Sequence, residues 1–66
     1  MIVKLKDILE QQKKTIYWLS QQTGITNQNL GLFANGKTKS IKFETIEKIC
    51  NALDCNIEDI LQVEKD

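Results

Sequence analysis

The side chains of this sequence that could perform chemistry are amides, hydroxyls, lysines and two thiols. There is no histidine, no glycine-rich phosphate loop and no pairing of a nucleophile with a base, so catalysis is the weakest interpretation. Cys50 and Cys55 are five positions apart, and two thiols alone cannot complete a four-ligand zinc site. We therefore expect no enzyme activity, no metal and no cofactor, and no small-molecule substrate is evident.

The two thiols differ in their sequence surroundings. Cys50 shares the apolar side of a predicted helix with Ile46, Ile49 and Leu53. This pattern favours a buried small hydrophobe, and a redox switch is the alternative. Cys55 lies beyond the end of that helix, so its environment stays open.

Amide and hydroxyl side chains concentrate in residues 15–36, TIYWLSQQTGITNQNLGLFANG. The helical apolar period is broken at Gly24 and resumes with Leu30. Glycine readily adopts the left-handed backbone that often follows a helix end. Two short helices over about residues 16–22 and 27–34, joined by a tight turn, make the pattern of a helix-turn-helix.

The second of these helices, capped by Thr26, carries an outer face suited to reading a DNA groove. The candidates for base contacts are Asn27, Gln28, Gly31 and Leu32. Gln28 is the best of them, because glutamine pairs bidentately with adenine. Gly31 costs about 1 kcal/mol relative to alanine inside a helix and would allow close approach to DNA. Leu32 could contact a thymine methyl group or mark a protein-binding surface.

Hydroxyl, amide and lysine side chains around this helix suit phosphate oxygens. The candidates for phosphate contacts are Tyr17, Thr26, Asn35, Lys37, Thr38, Lys39, Ser40 and Lys42. An ordinary solvated loop is the alternative for residues 37–40. Lys42 is a poor helix cap, and its charge opposes the helix dipole, which a docked phosphate would offset.

The net charge is zero, but the charges are divided between the two halves of the chain. Residues 1–42 hold seven lysines against two acids, a net charge of +5, and residues 43–66 hold two lysines against seven acids, a net charge of −5. The basic half contains the predicted helix-turn-helix, which favours a nucleic-acid partner over unpartnered surface charge. All nine basic residues are lysine, so the common bidentate arginine contact to guanine is absent.

Apolar spacing predicts three further helices, over about residues 5–13, 43–53 and 57–61. The 43–53 helix places an apolar stripe in the core, made of Phe43, Ile46, Ile49, Cys50 and Leu53. Trp18 is expected to be in the core or partly buried.

The segment TGIT, the following LGLFANGK, and FETIEKICNALDC over residues 43–55 together resemble the phage-repressor/Cro-like family of bacterial and phage regulators. The resemblance covers nearly the whole chain. It implies one compact all-α domain over residues 1–66, with five helices in a repressor-like arrangement. It also implies that the termini pair as a short antiparallel ribbon, residues 1–5 against 60–65.

The resemblance implies a sequence-specific regulator of double-stranded DNA, a repressor that binds a near-palindromic operator as a homodimer. The 27–34 helix would then enter the major groove. Many family members have glutamine or arginine where this chain has Ile16, so one familiar phosphate contact is in doubt. A protein-interaction module of the same fold, such as an antitoxin or an anti-repressor, is the alternative.

Length and hydropathy limit the number of domains and the possible membrane segments. A chain of 66 residues is expected to form one domain, and no apolar run approaches the roughly 18 residues of a membrane span. Met1-Ile2-Val3 is followed at once by lysines, which is not the pattern of a signal peptide. We expect a cytoplasmic protein with no membrane contact.

Overall fold

The computed structural model describes residues 1–64, which form four α-helices, one short 3₁₀ helix and a two-stranded ribbon. In chain order the elements are β1 (Ile2–Val3), α1 (Leu5–Gln11), α2 (Ile16–Thr23), α3 (Asn27–Ala34), α4 (Phe43–Leu53), the 3₁₀ helix (Ile57–Asp59) and β2 (Leu61–Gln62). The mostly helical fold with a terminal ribbon is confirmed, but the prediction of five helices is wrong.

The predicted fifth helix is only a single 3₁₀ turn, because the residues that follow it form β2 and pair with the N-terminal strand. Its start is fixed by the Asn56 N–H, which donates to the Asp59 carboxylate at 3.0 Å. The Ile60 N–H donates to the Ile57 carbonyl at 3.0 Å, an i to i+3 bond. The Ile60 carbonyl then accepts from the Lys4 N–H at 2.6 Å, so the backbone continues as a strand.

The ribbon joins the two ends of the described chain in antiparallel register. The paired residues are Ile2 with Gln62 and Val3 with Leu61. The Met1 ammonium, one position before Ile2, lies 3.7 Å from the side-chain carboxylate of Glu64, two positions after Gln62. The predicted ribbon is therefore confirmed, although shorter than expected, and Lys65 lies outside the described residues.

The first two helices differ slightly from their predicted bounds. α1 ends at Gln11 rather than near Lys13, because Lys13 takes a left-handed φ of 57° that no α-helix can continue through. α2 begins at the predicted Ile16 and runs one residue past Gln22. None of the helices formed by residues 1–64 is long and apolar enough to span a membrane.

One hydrophobic core receives side chains from all four α-helices and from the residue that precedes β2. Its buried members are Leu5, Ile8, Leu9, Leu19, Leu30, Phe33, Ala34, Ile46, Ile49, Leu53 and Ile60. Within residues 1–64 no polar or charged side chain is buried. Polar groups with a role in binding are therefore on the surface.

The apolar stripe of α4 starts later than predicted. Phe43 is 86% exposed, whereas Ile46, Ile49 and Leu53 are buried. At about 100° per residue, Phe43 lies roughly a quarter turn away from the line of the three buried side chains. Ile41, just before the helix, packs against the core instead.

Candidate nucleic-acid interface

The turn between α2 and α3 is closed by side-chain hydrogen bonds as well as by a glycine. Gly24 ends α2 with a φ of +78°, and its N–H donates to the Ser20 carbonyl at 2.9 Å. The Ser20 hydroxyl donates to the Ile25 carbonyl at 2.6 Å, and the Thr23 hydroxyl accepts from the Ile25 N–H at 3.2 Å. The predicted helix-turn-helix geometry is present, and its turn is held from both sides.

Both helices of this unit begin with a threonine cap, as was predicted for Thr26. The Thr15 hydroxyl accepts from the Trp18 N–H at 3.0 Å, and the Thr26 hydroxyl accepts from the Asn29 N–H at 3.1 Å. A hydroxyl also carries one proton that it can donate. Thr26 is exposed, so its hydroxyl remains able to donate to a phosphate oxygen while it caps α3.

α3 rests on the core by one side and shows the other to solvent. The side chains of Asn27 and Gln28 are exposed, and Leu32 is 45% exposed. Gly31 is half-buried, and a Cβ built on it meets no atom within 4 Å. The buried side of the helix consists of Leu30, Phe33 and Ala34. All four predicted base-contact positions thus avoid the packed interior.

A groove of about 300 Å³ separates α3 from the loop of residues 37–42 and the start of α4. Asn29 and Leu32 line it from α3, and Thr38, Ser40 and Lys42 line it from the loop. The structure therefore brings one predicted base-contact residue and three predicted phosphate-contact residues to the same surface.

The loop leaves α3 through a second left-handed glycine. Gly36 has a φ of +72°, its N–H donates to the Phe33 carbonyl at 3.0 Å, and the Lys37 N–H donates to the Leu32 carbonyl at 2.9 Å. These bonds satisfy carbonyls at the end of the helix. The start of the loop is therefore fixed relative to α3.

The other end of the loop lies beside the ribbon. A smaller groove of about 170 Å³ is lined by Thr38 and Lys39 on the loop side and by Met1, Val3 and Leu61 on the ribbon side. The loop and the ribbon therefore face each other across this groove.

The loop lysines are exposed, and the two ion pairs found among residues 1–64 involve none of them. The cations in question are Lys37, Lys39 and Lys42. Lys42 caps α4 without a side-chain hydrogen bond, as predicted. Their charge is available to an external anion.

The remaining predicted phosphate contacts lie outside the two grooves. Tyr17, in the first turn of α2, is 64% exposed, and Asn35, at the end of α3, is also exposed. Trp18 is partly buried, as predicted, and the Lys14 ammonium lies 4.6 Å from its ring centroid. Lys14 precedes the Thr15 cap of α2 and lies in no helix, so helical spacing could not have predicted this contact.

Metal chemistry has no visible basis in the described chain. Among residues 1–64 no three histidine, cysteine, aspartate or glutamate side chains lie close enough to hold an ion. The exposed features instead offer amides, hydroxyls and ammonium groups arranged around one helix.

Over residues 4–66 the chain matches the family model of the Cro/C1-type HTH DNA-binding domain. The chain therefore belongs to the Cro/C1-type helix-turn-helix family of DNA-binding domains, and the resemblance seen in the sequence is confirmed. It is also similar to YozG of Bacillus subtilis (strain 168), described as an uncharacterized HTH-type transcriptional regulator. The two are 39% identical over 66 residues, which is all of this chain and 79% of the relative. No solved structure matches the chain.

Proposed function

We propose that this protein is a transcriptional regulator that binds specific sequences of double-stranded DNA through α3. The observation that carries the proposal is the groove shared by Leu32 on α3 and by Thr38, Ser40 and Lys42 on the loop. A base-reading helix flanked by cations and hydroxyls suits the major groove and its phosphate borders. The regulator role is supported by the Bacillus subtilis relative, which is described as a transcriptional regulator.

Within this proposal the exposed face of α3 reads bases. Gln28 pairs with adenine through its amide, and Asn27 supports it or contacts a neighbouring base. Leu32 contacts a thymine methyl group. Gly31, with open space where a side chain would be, lets the helix backbone approach the bases.

The loop and the helix ends hold the phosphates. Lys37, Lys39 and Lys42 supply the charge, and the exposed hydroxyls of Thr38 and Ser40 donate hydrogen bonds. The remaining contacts are supplied by Tyr17, Thr26 and Asn35.

We propose further that the protein represses transcription as a homodimer on a near-palindromic operator. Two copies of α3 would enter successive major grooves about 34 Å apart. The ribbon supports this part of the proposal, because it has free backbone edges and carries Met1 at 73%, Ile2 at 42% and Val63 at 67% exposure. A cytoplasmic location belongs to the same proposal, since the DNA that a bacterial or phage regulator controls lies there.

The proposal is tested in two steps. Sequences that the protein binds are first selected from a random pool of duplex DNA, and their binding is then measured by fluorescence anisotropy. We expect a palindrome to be recovered and its binding to weaken steeply with salt. Gln28→Ala should relax base preference at one position of each half-site, and Lys39→Ala should weaken binding to all sequences alike. Lys48→Ala is the matched control, because Lys48 pairs with Glu44 at 3.3 Å in the acidic half.

The DNA interface would be misassigned if Gln28→Ala and Lys39→Ala both left specific binding unchanged. Absence of binding even near about 50 mM salt would remove the DNA proposal altogether.

Exposed apolar side chains favour one second candidate, a protein-interaction module. Leu32 is 45% exposed and Phe43 is 86% exposed. The apolar patch of Leu32 with Phe33 that would favour this function does not form, because Phe33 is buried. Two results together would identify such a module: the protein does not bind DNA, and Leu32→Ser abolishes binding to a protein partner.

A further inference from the structure

The end of α4 brings the two cysteines together through its backbone. Asp54 takes a left-handed conformation with φ 51° and ψ 51°. The Cys55 N–H consequently turns back and donates to the Cys50 carbonyl at 3.0 Å. This six-to-one bond is the mark of a Schellman helix end, in which the side chains of the two bonded residues commonly touch.

The side chains of Cys50 and Cys55 have similar surroundings. Both thiols are free and half-buried, and both side chains pack against the hydrophobic core. The sequence predicts Cys50 as a buried small hydrophobe, whereas in the structure it is half-buried and packs against the core. Two thiols on residues whose backbones are hydrogen-bonded to each other need little movement to reach disulfide geometry.

We propose that Cys50 and Cys55 form a reversible intramolecular disulfide when the protein meets a hydroperoxide. The disulfide links the C-terminal end of α4 to the segment that leads into β2. Oxidation therefore adds a covalent constraint between α4 and the segment that precedes the ribbon. This site lies in the acidic half of the chain and does not depend on the DNA proposal.

The chemistry balances with the peroxide as the oxidant. The thiolate of one cysteine attacks a peroxide oxygen, an S–O bond forms, the O–O bond breaks, and water or an alcohol leaves after protonation. The second thiolate attacks the sulfur of the resulting sulfenic acid, so that the S–S bond forms and the S–O bond breaks with loss of water. Two thiols lose two protons and two electrons, which the peroxide takes up.

The environment makes this reaction slow at neutral pH. Burial, the neighbouring Cys50 thiol and the charges of Asp59 and Asp54 raise the pKa of Cys55 to about 11. Burial also raises the pKa of Cys50, and Asp59 adds to the rise. Since the thiolate is the nucleophile, the bond should form only during sustained oxidation at neutral pH, and its rate should rise about tenfold for each unit of pH increase up to the thiol pKa.

Mass analysis of the full chain after peroxide treatment tests the proposal. Cleavage after Lys48 and Lys65 yields one peptide with both cysteines, which we expect to be two hydrogens lighter. Further cleavage before Asp54 should leave two fragments that separate only after reduction with dithiothreitol. C50S and C55S are the matched controls, each unable to lose two hydrogens within one chain.

A thermal melt gives a second readout. Closing this short loop should raise the Tm of the oxidised protein by about 5 °C or more, reversibly with dithiothreitol. The C50S/C55S double variant should melt at one temperature with or without peroxide. The proposal is overturned if peroxide gives only sulfinic acids or disulfides between chains, or if the bridged protein melts no higher than the reduced one.

Discussion

Two glycines of the helix-turn-helix should respond oppositely to an added methyl group. A Cβ at Gly24 or at Gly31 meets no atom within 4 Å, so only the backbone decides the outcome. Gly24 has a φ of +78°, and Gly24→Ala should lower the free energy of unfolding by about 1–2 kcal/mol. Gly31 is helical, and Gly31→Ala should raise it by about 0.5–1 kcal/mol. Urea unfolding measures both changes. Changes of the same sign would contradict the left-handed conformation of Gly24 or the helical conformation of Gly31.

The thiols give the fold a pH dependence at alkaline pH under reducing conditions. The pKa of Cys55 is raised to about 11 from its ordinary value of 9.0, chiefly by burial, so the folded state favours the protonated thiol. Its contribution is complete below about pH 9 and is lost as the pH rises towards 11. With partial exposure allowed for, the loss should be about 1–2 kcal/mol.

Urea unfolding at pH 7, 9 and 10.5 with a reductant present measures this loss. The C50S/C55S variant should lose less stability over the same interval. Parallel pH profiles for the two proteins would show that the thiols contribute nothing to the dependence.

At the scale of the element, the two phenylalanines lie in opposite environments. Phe33→Ala removes a buried side chain of α3 and should cost about 3–5 kcal/mol in urea unfolding. Phe43→Ala removes a side chain that is 86% exposed and should change stability by less than about 0.5 kcal/mol. A large loss for Phe43→Ala would restore it to the core stripe first expected from the sequence.

The elements that were predictable are those fixed by neighbouring residues. Thr15, Thr26 and Gly24 act within one turn of the backbone, so the bounds of α2 and α3 follow from local spacing. The 3₁₀ helix is different, because its end is decided by the bond from Lys4 to Ile60, across most of the chain. No local pattern around residue 60 contains that information.

The candidate site divides in the same way. Exposure of Asn27 and Gln28 follows from the apolar period of α3, which the sequence shows. The groove joining α3 to Ser40 and Lys42 depends on the path of a loop and could not be derived from spacing. The backbone bond that brings Cys55 back to Cys50 likewise depends on the left-handed Asp54, a residue type that adopts this conformation only occasionally.

For the whole molecule, the division of charge should appear in the salt dependence of DNA binding. Each of Lys37→Ala, Lys39→Ala and Lys42→Ala should lower the slope of log affinity against log salt by about 1, because each removes one of the proposed phosphate contacts. Lys48→Ala should leave the slope unchanged, since Lys48 lies in the acidic half. Anisotropy titrations at four or more salt concentrations give these slopes, and equal slopes for all variants would contradict the assigned phosphate contacts.

The pairing of β1 with β2 brings the two ends of the described residues close together. Because Ile2 pairs with Gln62, the two ends of the described residues lie side by side, close enough for a short peptide to join them covalently. A circular backbone would retain the native strands while denying the unfolded chain most of its end-to-end freedom. New ends could then be opened in the exposed loop after Gly36. In that permuted chain β2 would be followed directly by β1, so the ribbon would become a β-hairpin formed by residues close in sequence.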